Sequence, residues 1–259
     1  MAGKLVFPDD VRPDFEGFSN AAFRFLKGLA RNNERGWFNE NRETYETEVR
    51  FPLECLIAEF RPGGAGKGLP VRGDPSKAIF RIYRDIRFSK NKQPYKTHAG
   101  AVLSRTGSRG DPGAVYIHIQ PGNCFVSAGF WRIDPPALTA WRRRMVDDPD
   151  EWLSIVGPYA DGKDPAYMRT ISALKTMPRG FKQDADSPVA EWVKWKSYLL
   201  TRPVDDADAR SRHLVDIVRE HALKAVPLLD FGWEIADIPA DDDPRRHMRA
   251  PRAGADEWA

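Results

Sequence analysis

Apolar residues recur with a helical period near the start of the chain. In FSNAAFRFLKGLARNN, Phe18, Ala22, Phe25, Leu26 and Leu29 fall on one face. Ser19 or Asn20 is placed to cap this helix, and Asn32 to take the left-handed conformation at its end. Asn33 then caps a second helix across ERGWFNENRETYETEVR, where Trp37, Asn41, Tyr45 and Val49 share a stripe. Pro52 lacks the helical N–H, so a kink or restart is expected before PLECLIAEF continues the helix. Residues 61–77 are rich in Gly and Pro and predict a loop.

The period then changes. AIFRIYRDIRFS alternates, which predicts a strand with Phe80, Ile82, Arg84, Ile86 and Phe88 toward the core and Ile79, Arg81, Tyr83, Asp85 and Arg87 on the other side. GAVYIHIQPGNCFVSAGFW predicts two strands about a PGN turn. Val115, Ile117 and Ile119 lie on one face of the first, and Tyr116, His118 and Gln120 on the other. PPALTAWRRRMVDD and PDEWLSIVG predict helices, MPRGF a turn, and PVAEWVKWKSYLL a helix ending as a strand. One long helix is expected from DDADARSRHL to PLLDF, burying Leu214, Ile217, Val218 and Ala225. Residues 1–17 form an arm, 18–233 a single α+β domain with a central antiparallel or mixed sheet flanked by helices, and 234–259 a loose charged tail.

Composition narrows this without changing it. The 259 residues are 41% hydrophobic and 11% aromatic, which suits a folded core that needs neither disulfide nor metal. Eight Trp imply a large core or a ring-lined cleft. A formal net charge of +3 excludes a polycation, so any phosphate or nucleic-acid affinity must come from local clustering. Cys55 and Cys124 are too few for a disulfide framework or zinc site and are expected as small buried hydrophobes. The five His lack metal-ligand spacing, and no metal is expected. Without a secretory head or an apolar run of membrane-spanning length, the expected location is cytoplasmic and away from membranes. GGAGKG fails as a phosphate loop: Arg61 stands where the first Gly belongs, and Gly68 where a hydroxyl residue belongs.

The candidate chemistry lies in RIYRDIRFSKNKQPYKTHAG, residues 81–100. Arg81, Arg84, Arg87, Lys90, Lys92 and Lys96 gather there against the single acid Asp85. Asp85 is placed to fix the guanidinium of Arg81 or Arg87, giving a planar fork suited to carboxylate or phosphate. Ser89, Tyr95, Thr97 and His98 add donors, Arg35 and Asn41 are placed for the mouth of the same cleft, and His118 or His98 would handle protons. The expected partner is an anionic small molecule of unknown identity, and the cofactor is likewise unknown. A bland reading competes throughout: a solvated charged edge, Asn caps, aromatic anchors and a hydrogen-bonded structural His118. Two further readings stand beside it. One is a nucleic-acid-binding module, less favoured because the net charge is small. The other is a structural or interaction protein in which the motif is an internal ion-pair network.

These motifs carry a resemblance. Asn32-Asn33, Arg35, Trp37-Phe38, Asn41 and Tyr45 form one piece. Arg81, Arg84-Asp85, Arg87-Phe88-Ser89-Lys90, Lys92, Pro94-Tyr95-Lys96-Thr97 and Gly100 form a second, followed by YIHIQPG, SAGFW and MPRGF. Together they resemble domain of unknown function 2461, a family of bacterial and some fungal proteins, over about residues 18 to 232. After PRGF the family usually carries an Asp-His-Pro-like step, where this chain has QDADSP. The resemblance implies no established activity.

Overall fold

Ser19 opens helix α1 (Asn20–Arg31) by accepting the Ala22 N–H at 3.1 Å, and the apolar face of the helix buries Ala22, Phe23, Phe25, Leu26 and Leu29. The computed structural model describes residues 12–160 and 162–237; most of the expected arm and the tail beyond 237 lie outside the described residues. Asn32 does not turn left-handed. Its φ is −125°, and its amide donates back to the Gly28 carbonyl at 3.1 Å. Asn33 does not cap α2 (Arg35–Glu40) either; Glu34 holds that position without a side-chain bond. The chain continues through α3 (Arg42–Thr44) and a π-helical turn over Tyr45–Arg50, then restarts as α4 (Phe51–Glu59) with Pro52 in its first turn. A missing N–H is harmless there.

After the Gly-rich loop comes the short α5 (Pro75–Ala78). The strand expected over 79–88 does not form. Ile79 and Tyr83 make isolated bridges to Ala101 and Tyr95, and three more backbone bonds close an irregular ribbon: Phe80 N–H to Gly100, Lys96 N–H to Ile82 and Arg84 N–H to Pro94, at 2.8–2.9 Å. Phe80 and Ile82 are buried, but Phe88 is 95% exposed. Alternation is rewarded only where a sheet lies beneath it. Past Arg84 no strand runs alongside, and Pro94 on the return limb has no N–H to donate.

The sheet itself comprises β1 (Ala99–Leu103), β2 (Ala114–Ile119), β3 (Cys124–Phe130), β4 (Tyr167–Arg169) and β5 (Tyr198–Val204), in the order β1-β2-β3-β5-β4. Every pairing is antiparallel. The PGN turn between β2 and β3 is type II: Gly122 has φ +78° and Asn123 N–H donates to Gln120 O at 2.8 Å. Helices α6 (Pro135–Asp147), α7 (Pro149–Val156) and α8 (Ala190–Val193) connect β3 to β5 around the short β4. The long helix expected after β5 is three: α9 (Asp206–Ala209), α10 (His213–Lys224) and α11 (Val226–Asp237). Pro227 restarts the last of them, which carries helix past Trp233 into what the sequence marked as tail.

One face of the sheet is the core. Ala101, Leu103, Val115, Ile117, Ile119, Val126, Ala128 and Leu200 join Leu26, Leu56, Leu214, Val218 and Leu229 from the helices in a single apolar cluster. Trp141, Trp152, Trp192 and Trp195 gather in one part of it, with Trp141 stacked on Tyr198 at 4.7 Å and Trp152 set edge-on to both. Cys55 and Cys124 are buried free thiols. The molecule is thus a single α+β domain whose sheet is purely antiparallel. Among the described residues no helix is long and apolar enough to cross a membrane.

Candidate functional site

The opposite face of the sheet carries the site, and strand register puts it there. Alternation sends Tyr116 and His118 of β2 away from the core. Tyr116 stands opposite Ser127 of β3, Ser127 opposite Thr201 of β5, and Thr201 opposite Tyr167 of β4. His118 stands between Gly100 of β1 and Phe125 of β3. Arg169, two residues beyond Tyr167, shares this face. The ribbon overhangs it with Arg84, Tyr95, Lys96 and His98, and the two together enclose a pocket of about 550 Å³. Gln120 and Asn123 line it from the type II turn.

His118 forms the floor. It is 4% exposed and both ring nitrogens are engaged: Nε2 with Gln120 Oε1 and Nδ1 with the Tyr116 hydroxyl, each at 3.0 Å. A carboxamide oxygen only accepts, so Nε2 carries the proton and Nδ1 accepts from Tyr116. The ring stacks on Phe125 at 4.4 Å on one side and His98 at 4.3 Å on the other. Burial lowers its pKa to about 4, the Gln120 bond opposes that, and the Arg169 charge adds to it. His118 is therefore a neutral imidazole with no nitrogen left to accept a substrate proton. His98 differs. It is 8% exposed, lines the pocket, and neither nitrogen hydrogen-bonds to a described residue. Burial, then the charges of His118, Lys96 and Arg84, lower its pKa to about 3.

Three cations border the pocket. The Arg169 guanidinium lies over Phe125, 5.7 Å from the ring centroid, without an ion pair among the described residues. Among the described residues the Arg84 guanidinium hydrogen-bonds only to the Gln93 carbonyl, at 3.5 Å. Lys96 is buried, with its ammonium 5.3 Å from the Phe80 ring centroid. No Asp or Glu stands among the described lining residues. Such a site attracts negative charge, and its partly desolvated walls strengthen that attraction.

Of the candidate site residues singled out from sequence, Arg84, Tyr95, Lys96, Thr97, His98 and His118 meet at this pocket. Arg81, Arg87, Lys90 and Lys92 are exposed on the ribbon outside its lining, and Ser89 is half-buried there. Arg87 is paired with Asp85 at 2.6 Å, which holds the Asp85 carboxyl well below its usual range through that hydrogen bond. Lys92 donates to the Ile86 carbonyl at 3.0 Å. Arg35 lines a second hollow of about 300 Å³ with Arg42, Tyr83 and the other side of Arg84. The alternation misplaced Arg84: assigned to the core side as an exception, it belongs to the pocket because the ribbon never enters the sheet. Arg169, Phe125, Ser127 and Thr201 were not singled out at all. Phe125 and Ser127 could have been, since they follow the PGN turn by alternation; Arg169 sits in a three-residue strand with no local cue.

Asn33 joins the two sequence motifs. Its side-chain amide donates to the Tyr95 carbonyl and its side-chain oxygen accepts the Tyr95 N–H, both at 3.0 Å. Tyr95 in turn stacks on Phe38 at 4.2 Å. The base of the ribbon is thereby fixed to the α1–α2 corner. Among the described residues no group of three or more His, Cys, Asp or Glu is arranged to hold a metal ion.

Fold and site define a class: a one-domain α+β protein whose antiparallel sheet is covered by helices on one face and holds a cationic pocket on the other. The chain belongs to DUF2461, a family described as conserved hypothetical protein, whose model matches residues 21–231. No curated protein and no solved structure matches it.

Proposed function

We propose that the protein binds an anionic small molecule in the pocket on the open face of its sheet, with Arg169, Arg84 and Lys96 holding the charge. One observation carries this: among the described residues three cationic side chains and no carboxylate line the pocket, and the Arg169 guanidinium lies over a ring with no described hydrogen bond or ion pair. If the site is also an enzyme, electrostatic stabilisation of developing negative charge is the contribution these residues make, and His98 is the imidazole that faces the substrate. Buried free thiols fit a reducing, cytoplasmic setting.

Thermal-shift titration with inorganic phosphate, pyrophosphate and citrate tests the reading. A ligand at a hundred times its dissociation constant adds about 2.7 kcal/mol to stability. The shift is expected to vanish in Arg169→Met and to persist in Arg87→Ala. Silence across the panel, or equal shifts in the two variants, removes the reading.

A second reading rests on the outer ribbon. Arg81, Arg87, Lys90 and Lys92 surround Phe88, which is 95% exposed with the Arg87 guanidinium 5.9 Å from its ring centroid. Interleaved cations and an open ring suit single-stranded nucleic acid. Oligonucleotide binding that falls steeply with salt and is lost in Phe88→Ala, but not in Arg169→Met, would favour it over the pocket.

A further inference from the structure

The uncharged groups in the pocket bear on what kind of anion it takes, given that it takes one. A nucleobase or other flat ring needs a gap between two apolar faces. The stacked rings on the pocket floor leave no gap among themselves, because His98, His118 and Phe125 are closed on one another at 4.3 and 4.4 Å; the other rings lining the pocket are Tyr95, Tyr116, Trp131 and Tyr167. Phe125 also carries the Arg169 guanidinium.

What the pocket offers beyond charge is hydrogen bonding of a particular kind. His98 is more than nine-tenths buried, lines the pocket, and has no described hydrogen-bond partner for either nitrogen. Neither nitrogen is fully enclosed, so the polar edge of the ring opens to the pocket. A neutral imidazole presents one donor and one acceptor. Carboxylate and fully ionised phosphate oxygens only accept, so they satisfy the donor and leave the acceptor facing lone pairs, while a protonated phosphate brings only its P–OH as a donor. A hydroxyl satisfies both. The pocket rim repeats this donor-and-acceptor chemistry in Asn91, Gln93 and Asn123, and the floor in the Ser127–Thr201 hydroxyl pair, whose oxygens are 2.8 Å apart. Burial and the neighbouring Lys96, Arg84 and His118 keep His98 neutral near pH 7. The volume of about 550 Å³ is that of a site for an organic ligand, larger than a lone phosphate requires.

We propose that the ligand is a polyhydroxylated anion, a sugar phosphate or sugar carboxylate, whose charged group sits among Arg169, Arg84 and Lys96 and whose hydroxyls are read by His98. This rests on the anion-pocket reading above and can fail separately from it.

The test is calorimetric titration of the full chain with glucose 6-phosphate, ribose 5-phosphate and glucuronate, set against inorganic phosphate and adenosine monophosphate. At least one anionic sugar is expected to bind tenfold or more tighter than phosphate. His98→Phe should remove that advantage, by about tenfold, while leaving phosphate affinity unchanged; His98→Gln, which keeps a donor and an acceptor, should restore part of it. Arg169→Met should weaken sugar and phosphate alike. If His98→Phe does not fold, the ligand ranking and His98→Gln still decide. Sugars no tighter than phosphate, or the nucleotide binding tightest, would overturn the polyol reading and leave the anion pocket standing. No binding by any anion would remove both.

Discussion

At the residue scale the buried imidazoles make the sharpest prediction. His98 and His118 have pKa values lowered to about 3 and 4, and His221, wholly buried with Nε2 donating to the Leu200 carbonyl at 3.0 Å, is also lowered to about 4. In each case desolvation is the leading cause. An unfolded histidine titrates near 6.5, so below that pH the unfolded chain takes up protons that the folded one refuses. Stability is therefore complete above about pH 6.5 and falls as pH drops toward the folded values. The upper bound is about 1.4 kcal/mol per pH unit per histidine. Carboxylates with lowered pKa, such as Asp74 and Asp164, lose their contribution only at still lower pH, so the window from pH 7 to 5 isolates the histidines. Urea unfolding at pH 7 and 5 should show a clear fall in midpoint, and His221→Gln should reduce that fall. An unchanged midpoint would contradict the burial argument. Sequence showed the five His as scattered; Arg84, Lys96, His98 and His118 line one pocket, and three of the four share one short run. Arg169 comes from more than seventy residues away along the chain, and nothing beside it marks it.

At the element scale the site depends on two contacts that position its groups without touching a ligand. Gly100 stands opposite His118, and a Cβ there would lie 2.6 Å from the Tyr116 hydroxyl and 2.9 Å from its ring. Tyr116 is fully buried, so its ring cannot swing aside cheaply. Gly100→Ala is expected to break the Tyr116–His118 bond, with a cost of about 1–3 kcal/mol in unfolding free energy and a perturbed His118 ring signal by NMR. An unmoved imidazole signal would show that the strand gives way instead. Asn33 is the second contact. Asn33→Ala leaves the Tyr95 N–H and carbonyl without their partners, at a cost of about 1–3 kcal/mol, and hydrogen exchange should quicken across residues 83–95 more than in the sheet. The PGN turn, the helix restarts at Pro52 and both strand faces of β2 were legible because each follows from local chemistry. The ribbon was not: its alternation is that of a strand, and only the lack of a neighbouring strand past Arg84 says otherwise. The role of Asn33 was hidden for a similar reason, since an Asn before a helix is as good a cap as it is a clamp.

At the scale of the whole molecule the sheet separates two tasks. Its helix-covered face holds the larger apolar core and hence most of the stability; its open face holds a smaller apolar cluster around Phe80 and Tyr116 together with cations, imidazoles and hydroxyls. The α+β class could be read from sequence because helical and alternating segments are segregated along the chain. The strand order could not, since β3 pairs with β5 across 67 intervening residues and β4 is three residues long. The separation has a consequence for mutagenesis. Ile117, buried on the core face of β2, should cost about 2–5 kcal/mol when cut to Ala, with ligand affinity of the remaining folded protein unchanged. Arg169→Met, on the open face, should alter stability by less than about 0.5 kcal/mol and abolish anion binding. Urea unfolding and calorimetric titration of both variants separate the outcomes. If Arg169→Met unfolded the protein as Ile117→Ala does, the open face would be part of the scaffold, and the cations would have to be explained as structure.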